Sequence, residues 1–267
     1  MRESVQRRPD SSLSLPPSSL PQSCPWPALP PPRRIPLATL PEHPCSYLPG
    51  RMMLNRGFLC DQMPAGLYLE LMNAGFRRSG TFIYQPICSH CRECQPIRVP
   101  VRDFQPSKSQ RRVWRRNSDL RVIVEVPKPT AEKFDLYCRY VRGRHDPDKP
   151  ERFGRFVDFL YTSPVDTLEI SCRDASGRLL GVGIVDVCER RSLSSVYFYF
   201  DPAESKRGLG TFSSLWEIAF ARERRIPYYY LGYYIRACAT MSYKANFAPH
   251  ELLGPDGAWR VATRENG

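Results

Sequence analysis

The stretch Val196-Tyr197-Phe198-Tyr199-Phe200-Asp201-Pro202, followed by Ser205-Lys206-Arg207-Gly208-Leu209-Gly210, decides the fold. The apolar and aromatic run predicts a strand that ends at Asp201-Pro202. After the glycines, apolar residues recur at helical spacing and predict a helix from about Leu209 to Arg224. Glycines at a helix start let backbone N–H groups point outward and bind anions or phosphates, but a plain helix cap explains a lone Gly-x-Gly equally well.

Further elements extend outward from this unit on both sides. The apolar patterns predict helices over 66–74, 107–116, 130–143 and 153–161. They predict strands over 81–84, 98–101, 121–126, 166–172, 179–187 and 228–234. Helices combined with a run of three consecutive strands between residues 166 and 200 predict an α+β protein.

Composition changes along the chain predict three regions. Residues 1–40 are rich in Pro, Ser and Arg and predict a disordered extension. Residues 41–127 predict a smaller Cys-rich α/β domain, and Pro127-Lys128-Pro129 predicts a joint to a larger domain over 128–260. The chain has neither a long apolar run nor an apolar leader, so we expect a soluble cytoplasmic protein that makes no membrane contact.

The charge of the chain favours a polyanionic partner. Lys and Arg number 39 and Asp and Glu 27, which gives a formal net charge of +12. The excess is concentrated in a predicted helix, where one face carries Lys108, Arg111, Arg112, Arg115 and Arg116. A cationic stripe of this kind indicates contact with a phosphate backbone, and its alternative is a merely solvated face.

Closely spaced thiols suggest a metal site. The segment Cys88-Ser89-His90-Cys91-Arg92-Glu93-Cys94 can direct its thiolates at one metal, with Cys45 as a fourth ligand. His43 and His90 are alternative ligands. The expected ion is zinc or an iron–sulfur cluster, and the alternative is a loop of reduced thiols without metal.

Two further segments carry polar groups that can serve a binding cleft. Arg77 and Arg78 lie between glycines and can present donors to a carboxylate, although a surface turn explains them equally well. Tyr243 and Lys244 follow the aromatic strand and can line a cleft near its end. For the tyrosines of the strand predicted over 228–234, the alternative to a cleft is packing in an aromatic core.

The unit described first resembles the N-acetyltransferase (GNAT) superfamily, with Ser205 where that superfamily usually has Arg or Gln. From Pro44 to Trp259 the chain as a whole resembles the arginyl/leucyl-tRNA–protein transferase family. The motifs that carry this resemblance are Pro44-Cys45-Ser46-Tyr47-Leu48-Pro49, Gly75-Phe76-Arg77-Arg78-Ser79-Gly80, Cys88-x2-Cys91-x2-Cys94, Arg98-Val99-Pro100-Val101, Phe104-x-Pro106-Ser107-Lys108-Ser109-Gln110-Arg111-Arg112, Phe200-Asp201-Pro202, Leu209-Gly210-Thr211-Phe212, Tyr230-Leu231-Gly232-Tyr233-Tyr234-Ile235 and Met241-x-Tyr243-Lys244.

The resemblance implies a GNAT-like acyltransferase fold for the C-terminal region and an enzyme that moves an amino acid from tRNA to a protein N-terminus. The short chain and Leu48, which stands where the eukaryotic pattern has a second Cys, fit the bacterial aspartate/glutamate leucyltransferase branch. Leu-tRNA is then the donor and N-terminal Asp or Glu the acceptor, in the N-end rule degradation pathway. The chemistry requires no cofactor and involves neither DNA nor a membrane.

On this basis we predict roles for named residues. Arg77 and Arg78 bind the acceptor carboxylate, and Lys108, Arg111, Arg112 and Arg115 hold tRNA phosphates. The reacting centre is expected to be lined by Asp201, Tyr243 and Lys244. The alternatives are an arginyl-tRNA transferase with the same acceptors, a GNAT acetyltransferase, and an RNA-binding module without catalysis.

Overall fold

The computed structural model describes residues 34–144 and 150–262, in which helices and strands alternate. The strands are β1 (Ala38–Thr39), β2 (His43–Pro44), β3 (Met52–Met53), β4 (Asn55–Leu59), β5 (Arg77–Ser79), β6 (Phe82–Pro86), β7 (Gln95–Pro100), β8 (Arg121–Glu125), β9 (Thr167–Arg173), β10 (Leu179–Cys188), β11 (Ser192–Phe200), β12 (Tyr228–Tyr234), β13 (Glu251–Leu253) and β14 (Trp259–Val261). The helices are α1 (Ala65–Asn73), α2 (Lys108–Arg116), α3 (Ala131–Arg144), α4 (Phe153–Phe156), α5 (Leu209–Glu223) and α6 (Ala239–Ser242). A π-helical turn spans Val157–Tyr161, and 3-10 helices span Pro202–Arg207 and Tyr243–Asn246. The predicted α+β class is confirmed.

An eight-stranded sheet forms the centre of the molecule, with the order β14-β13-β7-β12-β11-β10-β9-β8. The ladders of this sheet are antiparallel, except that β11 runs parallel to β12. That parallel pair is in register only between residues 192–194 and 228–230, so the two strands part beyond this point. A second sheet has the order β1-β4-β6-β5, and β2 pairs with β3.

Helices cover both faces of the large sheet, because its inner strands are apolar on both sides. Leu215 and Ile218 of α5 pack with Val185, Leu193 and Tyr229 in one buried cluster. On the other face, α3 and α4 pack against residues that include Val182, Ile184 and Tyr199. Helix α1 packs in a third cluster, with Tyr68 and Met72 against Ile83 of β6 and Tyr230 of β12.

Local sequence signals set the bounds of several elements as predicted. Helix α2 begins after Ser107, whose side chain accepts a hydrogen bond from the Gln110 backbone while the Gln110 side chain accepts one from the Ser107 backbone. Helix α1 ends at Asn73, before Gly75, whose φ of +88° is a left-handed conformation that favours glycine. Strand β12 has the predicted bounds, and α5 ends one residue before the predicted one.

The predicted boundary at Pro127 separates segments that the structure joins in one sheet. Strands β7 and β8 precede that boundary, but β7 pairs with β12 and β13, and β8 pairs with β9. From Ile35 onward the chain forms one unit in its backbone contacts. Most of the extension predicted over 1–40 lies outside the described residues, and the described part includes β1, which pairs with β4.

Among the residues that the structure describes, no helix is both long and apolar enough to cross a membrane.

Candidate active site

Arg77 lies at the start of β5 with its guanidinium buried between the two sheets. Its Nη2 donates a hydrogen bond to the carbonyl oxygen of Gly232 at 3.2 Å. The guanidinium carbon lies 5.2 Å from the ring centre of Tyr230 and 6.0 Å from that of Tyr233. Its Nε and Nη1 are buried and have no hydrogen-bond partner within the described part of the chain. Because an unsatisfied buried cationic donor is costly, this arrangement favours binding of an anion.

Lys244 lies beside Arg77 and is also buried. Its Nζ donates a hydrogen bond to the Tyr233 carbonyl at 2.8 Å, next along the chain from the Gly232 carbonyl that binds Arg77. The same Nζ also contacts the Met241 sulfur at 3.5 Å. Burial, together with the positive charge of Arg77, lowers the pKa of Lys244 to about 7. Near neutral pH this amine can therefore both accept and donate a proton.

A bulge in β12 explains why two successive carbonyls face these cations. The register between β12 and β7 shifts between Tyr230 and Gly232, and Gly232 has a φ of +84°. Tyr233 is held in place because its hydroxyl donates to the Gly75 carbonyl at 2.8 Å. Gly232 is therefore required by the backbone conformation, and Arg77, Lys244 and Tyr233 form a cluster around it that we call the β12 site.

Arg78 requires a correction to its predicted role. Its Nε and Nη2 each donate to a carboxylate oxygen of Asp186 at 2.7 Å, and both side chains are fully buried. The remaining Nη1 faces the Gly80 carbonyl at 3.3 Å. An arginine whose donors are occupied in this way cannot also bind an acceptor carboxylate, so we reassign Arg78 to the support of β5 and β10.

Asp201 and Tyr243 have different environments from Lys244. Asp201 caps the 3-10 helix that follows β11, with Oδ1 accepting from the Ala203 N–H at 3.1 Å. Its carboxylate also lies 3.6 Å from both Arg139 and Arg178, so the contacts recorded for Asp201 among the described residues do not reach the β12 site. Tyr243 precedes Lys244 in the same turn and is 38 % exposed. The structure therefore groups Lys244 with Arg77 and corrects the predicted grouping with Asp201.

The predicted tRNA-binding cations line the outer face of α2. Lys108, Arg111, Arg112 and Arg115 are exposed, while the opposite face packs through Gln110 and Trp114. Trp114 contacts Phe212 of α5 with ring centres 5.6 Å apart, and its side chain is only partly buried, with 40 % exposed.

Helix α2 also packs against the loop before α5. Arg116 donates to the Lys206 carbonyl, and the Asn117 side chain donates to the Arg207 carbonyl at 2.9 Å. Helix α2 thus contacts the loop before α5 through the backbone carbonyls of Lys206 and Arg207.

The four predicted metal ligands are neighbours in the structure. Cys88, Cys91 and Cys94 line a cavity of about 70 Å³. Burial, together with Cys88, Cys45 and Cys91, raises the pKa of Cys94 to about 12. Arg51 donates to the Cys91 sulfur at 3.1 Å. Over the described ranges no group of three or more His, Cys, Asp or Glu is arranged to hold a metal ion, and metal binding by these thiols stays a prediction.

One buried acid was not anticipated from the sequence. Glu217 of α5 accepts hydrogen bonds from the Ser213 hydroxyl at 2.6 Å and from the Tyr229 hydroxyl at 2.7 Å. Burial raises its pKa to about 7. The sequence signal was a single Glu among the apolar positions of α5, which predicts either a partnered core acid or an exposed one.

Comparison with known proteins identifies the class. The family model for the N terminus of arginine-tRNA-protein transferases matches residues 43–112, and the model for the C terminus matches 132–254. Both matches define an aminoacyltransferase that uses tRNA and protein as substrates. The chain belongs to the arginine-tRNA-protein transferase family.

Relatives and solved structures give further detail. The aspartate/glutamate leucyltransferase of Hahella chejuensis is 42% identical over 220 residues, which are 81% of this chain and 93% of that protein. The enzyme of the same name from Nitrosococcus oceani is 41% identical over 83% of this chain and 93% of that protein. L-PGS from Bacillus licheniformis superposes with a TM-score of 0.45 at 10% identity over 64% of this chain and 59% of that one, a likeness too distant to carry an argument.

Proposed function

We propose that this enzyme transfers leucine from Leu-tRNA to the α-amine of proteins that begin with Asp or Glu. The name shared by the relatives, aspartate/glutamate leucyltransferase, supports the donor and the acceptors. The observation in the structure that carries the proposal is Arg77, a buried guanidinium with two unpartnered donors beside Lys244. The product would carry an N-terminal leucine and enter the N-end rule pathway of protein degradation.

Arg77 is proposed to recognise the acceptor side chain. Its free Nε and Nη1 lie on opposite sides of the guanidinium, and either can donate a charged hydrogen bond to the acceptor carboxylate. Tyr230 and Tyr233 hold the guanidinium plane in position. An acceptor that begins with a neutral residue leaves these donors unpaired, so the site rejects it.

Lys244 is proposed to manage the proton of the reacting amine. The α-amine attacks the carbonyl carbon of the tRNA ester, the new C–N bond forms, and the bond to the ribose oxygen breaks. The α-ammonium, whose pKa is near 8, first loses one proton to solvent. With a pKa of about 7, the neutral Lys244 amine can then take the second proton as the C–N bond forms and return it to the ribose oxygen as the ester bond breaks. Holding amine and ester together supplies much of the acceleration.

The cations on α2 are proposed to bind phosphates of the tRNA. Lys108, Arg111, Arg112 and Arg115 project from one exposed face, where counterion release favours a polyanion. Metal binding at Cys45, Cys88, Cys91 and Cys94 is not part of these steps. It remains a proposal of its own, tested by metal analysis of the purified protein.

A transfer assay tests the proposal. Purified enzyme is mixed with tRNA charged with labelled leucine and with peptides that differ only in their first residue. We expect label in peptides that begin with Asp or Glu and none in a peptide that begins with Ala. Transfer from Arg-tRNA but not from Leu-tRNA would support the second candidate, arginyl transfer, which the name of the family favours.

A further inference from the structure

A groove between α2 and α5 has no role in the steps described so far. It has a volume of about 320 Å³, within the usual range of small-molecule pockets of about 300–1,000 Å³. We call it the α2–α5 groove, and it is lined by Phe104, Pro106, Gln110, Arg111, Trp114, Arg115, Leu215, Ile218, Ala219 and Arg222.

The floor of the α2–α5 groove is apolar and one wall is aromatic. Leu215 and Ile218 are buried beneath it, while Ala219 is exposed at its edge. The Trp114 ring is 40 % exposed and is supported from behind by Phe212. A supported, half-exposed aromatic ring beside an apolar floor offers a flat ligand a surface for stacking.

The rim of the groove is cationic. Arg111 and Arg115 line it, and Nη1 of Arg111 is anchored by the Pro106 carbonyl at 2.6 Å. Arg222 adds a third positive charge and is held by the Val101 and Phe104 carbonyls at 2.9 and 2.6 Å. None of the described residues that line the groove is acidic. The charge of the groove therefore complements a flat ligand that carries negative charge.

The groove adjoins the turn that carries Lys244. The Gln110 side chain donates to the Asn246 carbonyl at 3.1 Å, and the ring centres of Phe104 and Phe247 lie 6.2 Å apart. The 3-10 helix Tyr243–Asn246 thus lies between the groove and the β12 site. A polymer that reacts near Lys244 through its end can therefore place a neighbouring monomer in the groove.

We propose that the α2–α5 groove binds an unpaired nucleobase of the tRNA close to its 3′ end. Trp114 stacks on the base, and Arg111 and Arg115 hold the flanking phosphates. Bases of single-stranded segments can unstack and lie on aromatic rings, and the contact tolerates different bases because each has a π-face. This inference rests on the proposed function, because it takes tRNA as the donor.

Two RNA probes test the groove directly. One is a hairpin with four unpaired 3′ nucleotides, and the other is the same hairpin with a blunt end. Ala219→Trp fills the groove from an exposed position, so the fold should be kept, as a thermal unfolding curve will check. We expect the affinity for the tailed hairpin to fall about tenfold, the equivalent of one lost stacking contact, with the blunt hairpin unaffected.

Matched variants separate stacking from charge. Trp114→Ala should weaken binding of the tailed hairpin to a similar extent, and Trp114→Phe should restore most of the affinity because a ring remains. Lys108→Ala, outside the groove lining, should weaken both hairpins alike because it removes a phosphate contact.

Three results would overturn the inference. The first is a folded Ala219→Trp variant that binds both hairpins like the wild type or weakens both equally. The second is a wild-type enzyme that transfers leucine but shows no preference for the tailed hairpin, which leaves the proposed function standing. The third is a wild-type dimer that Ala219→Trp dissociates, because the occupant is then a second copy of the chain. Failure of transfer with a retained preference for the tail would instead overturn the proposed function.

Discussion

The same substitution should have different effects at the two neighbouring arginines of β5. Arg77→Gln should lower activity, whereas Arg78→Gln should lower stability. Arg77→Gln removes a guanidinium that has two free donors and one hydrogen bond to a carbonyl. Charged hydrogen bonds contribute about 1.5–3 kcal/mol each. Losing one of them to an acceptor carboxylate should cost about 1.5–3 kcal/mol, which lowers kcat/KM roughly tenfold to a hundredfold. Stability should change by about 1 kcal/mol at most, because the hydrogen bond that is lost within the described residues is a single one to the Gly232 carbonyl.

Arg78→Gln should act on the fold instead. The substitution leaves Asp186 fully buried without its partner, and breaking such a pair costs about 3–5 kcal/mol. For a chain of this size the melting temperature should fall by roughly 10 °C. The double variant Arg78→Gln with Asp186→Asn should recover part of the loss, because the buried charge is removed as well.

Three measurements distinguish the two arginines. Steady-state transfer to peptides that begin with Asp, Glu or Ala gives the acceptor preference, filter binding of Leu-tRNA gives the donor affinity, and urea unfolding gives the stability. For Arg77→Gln we expect loss of acidic acceptors with donor binding and stability kept. The assignment fails if Arg77→Gln weakens donor and acceptor equally, or if Arg78→Gln loses acidic acceptors at unchanged stability.

Three further perturbations follow from the buried and exposed charges. Since the pKa of Lys244 is lowered to about 7, kcat/KM should rise as the amine loses its proton near that pH, and a Lys244→Met variant that keeps this rise would contradict the assigned role. Burial raises the pKa of Glu217 from 4.5 to about 7, so its contribution to stability is complete below pH 4.5 and is lost as the pH rises to 7. Urea unfolding should therefore show Glu217→Gln matching the wild type near pH 4.5 and exceeding its stability by up to about 3 kcal/mol at pH 8. Replacing Lys108 or Arg112 by Ala should each reduce the slope of log K for tRNA against log salt by about 1, and an unchanged slope would exclude that phosphate contact.

The parts of the structure that were predictable are those with local causes. Helix α2 was predicted from Ser107 onward because a capping residue directly precedes the helix that it caps, and the structure adds Gln110 as its partner. Strand β12 was predicted because its aromatic and apolar run is long, although Gly232 interrupts it. The strand–loop–helix of β11 and α5 follows from the same kind of signal.

The division between Arg77 and Arg78 depended on a strand that the sequence did not predict. Successive residues of a strand point to opposite faces, so β5 directs Arg77 toward β12 and Arg78 toward Asp186. Only Arg77 has donors free for a ligand, whereas the sequence prediction, which did not place the two residues on a strand, assigned both side chains to the acceptor carboxylate. Recognising residues 77–79 as a strand would have separated the two roles.

The environment of Lys244 is set by contacts far apart in the sequence. Its carbonyl partner is Tyr233, and its nearest buried cation is Arg77. The sequence prediction grouped Asp201 with Lys244, and the two residues follow the neighbouring strands β11 and β12. However, β11 and β12 part after residues 194 and 230, and Asp201 lies at the end of the longer strand. No pattern in the sequence gives the extent of that separation.

The most direct test of the central claim is transfer of labelled leucine from Leu-tRNA to a peptide that begins with Glu, measured for the wild type and for Arg77→Gln. The wild type should label the Glu peptide and leave the matching Ala peptide unlabelled, and Arg77→Gln should lose most labelling of the Glu peptide while still binding Leu-tRNA. Equal labelling of both peptides by the wild type, or full labelling of the Glu peptide by Arg77→Gln, would contradict the account.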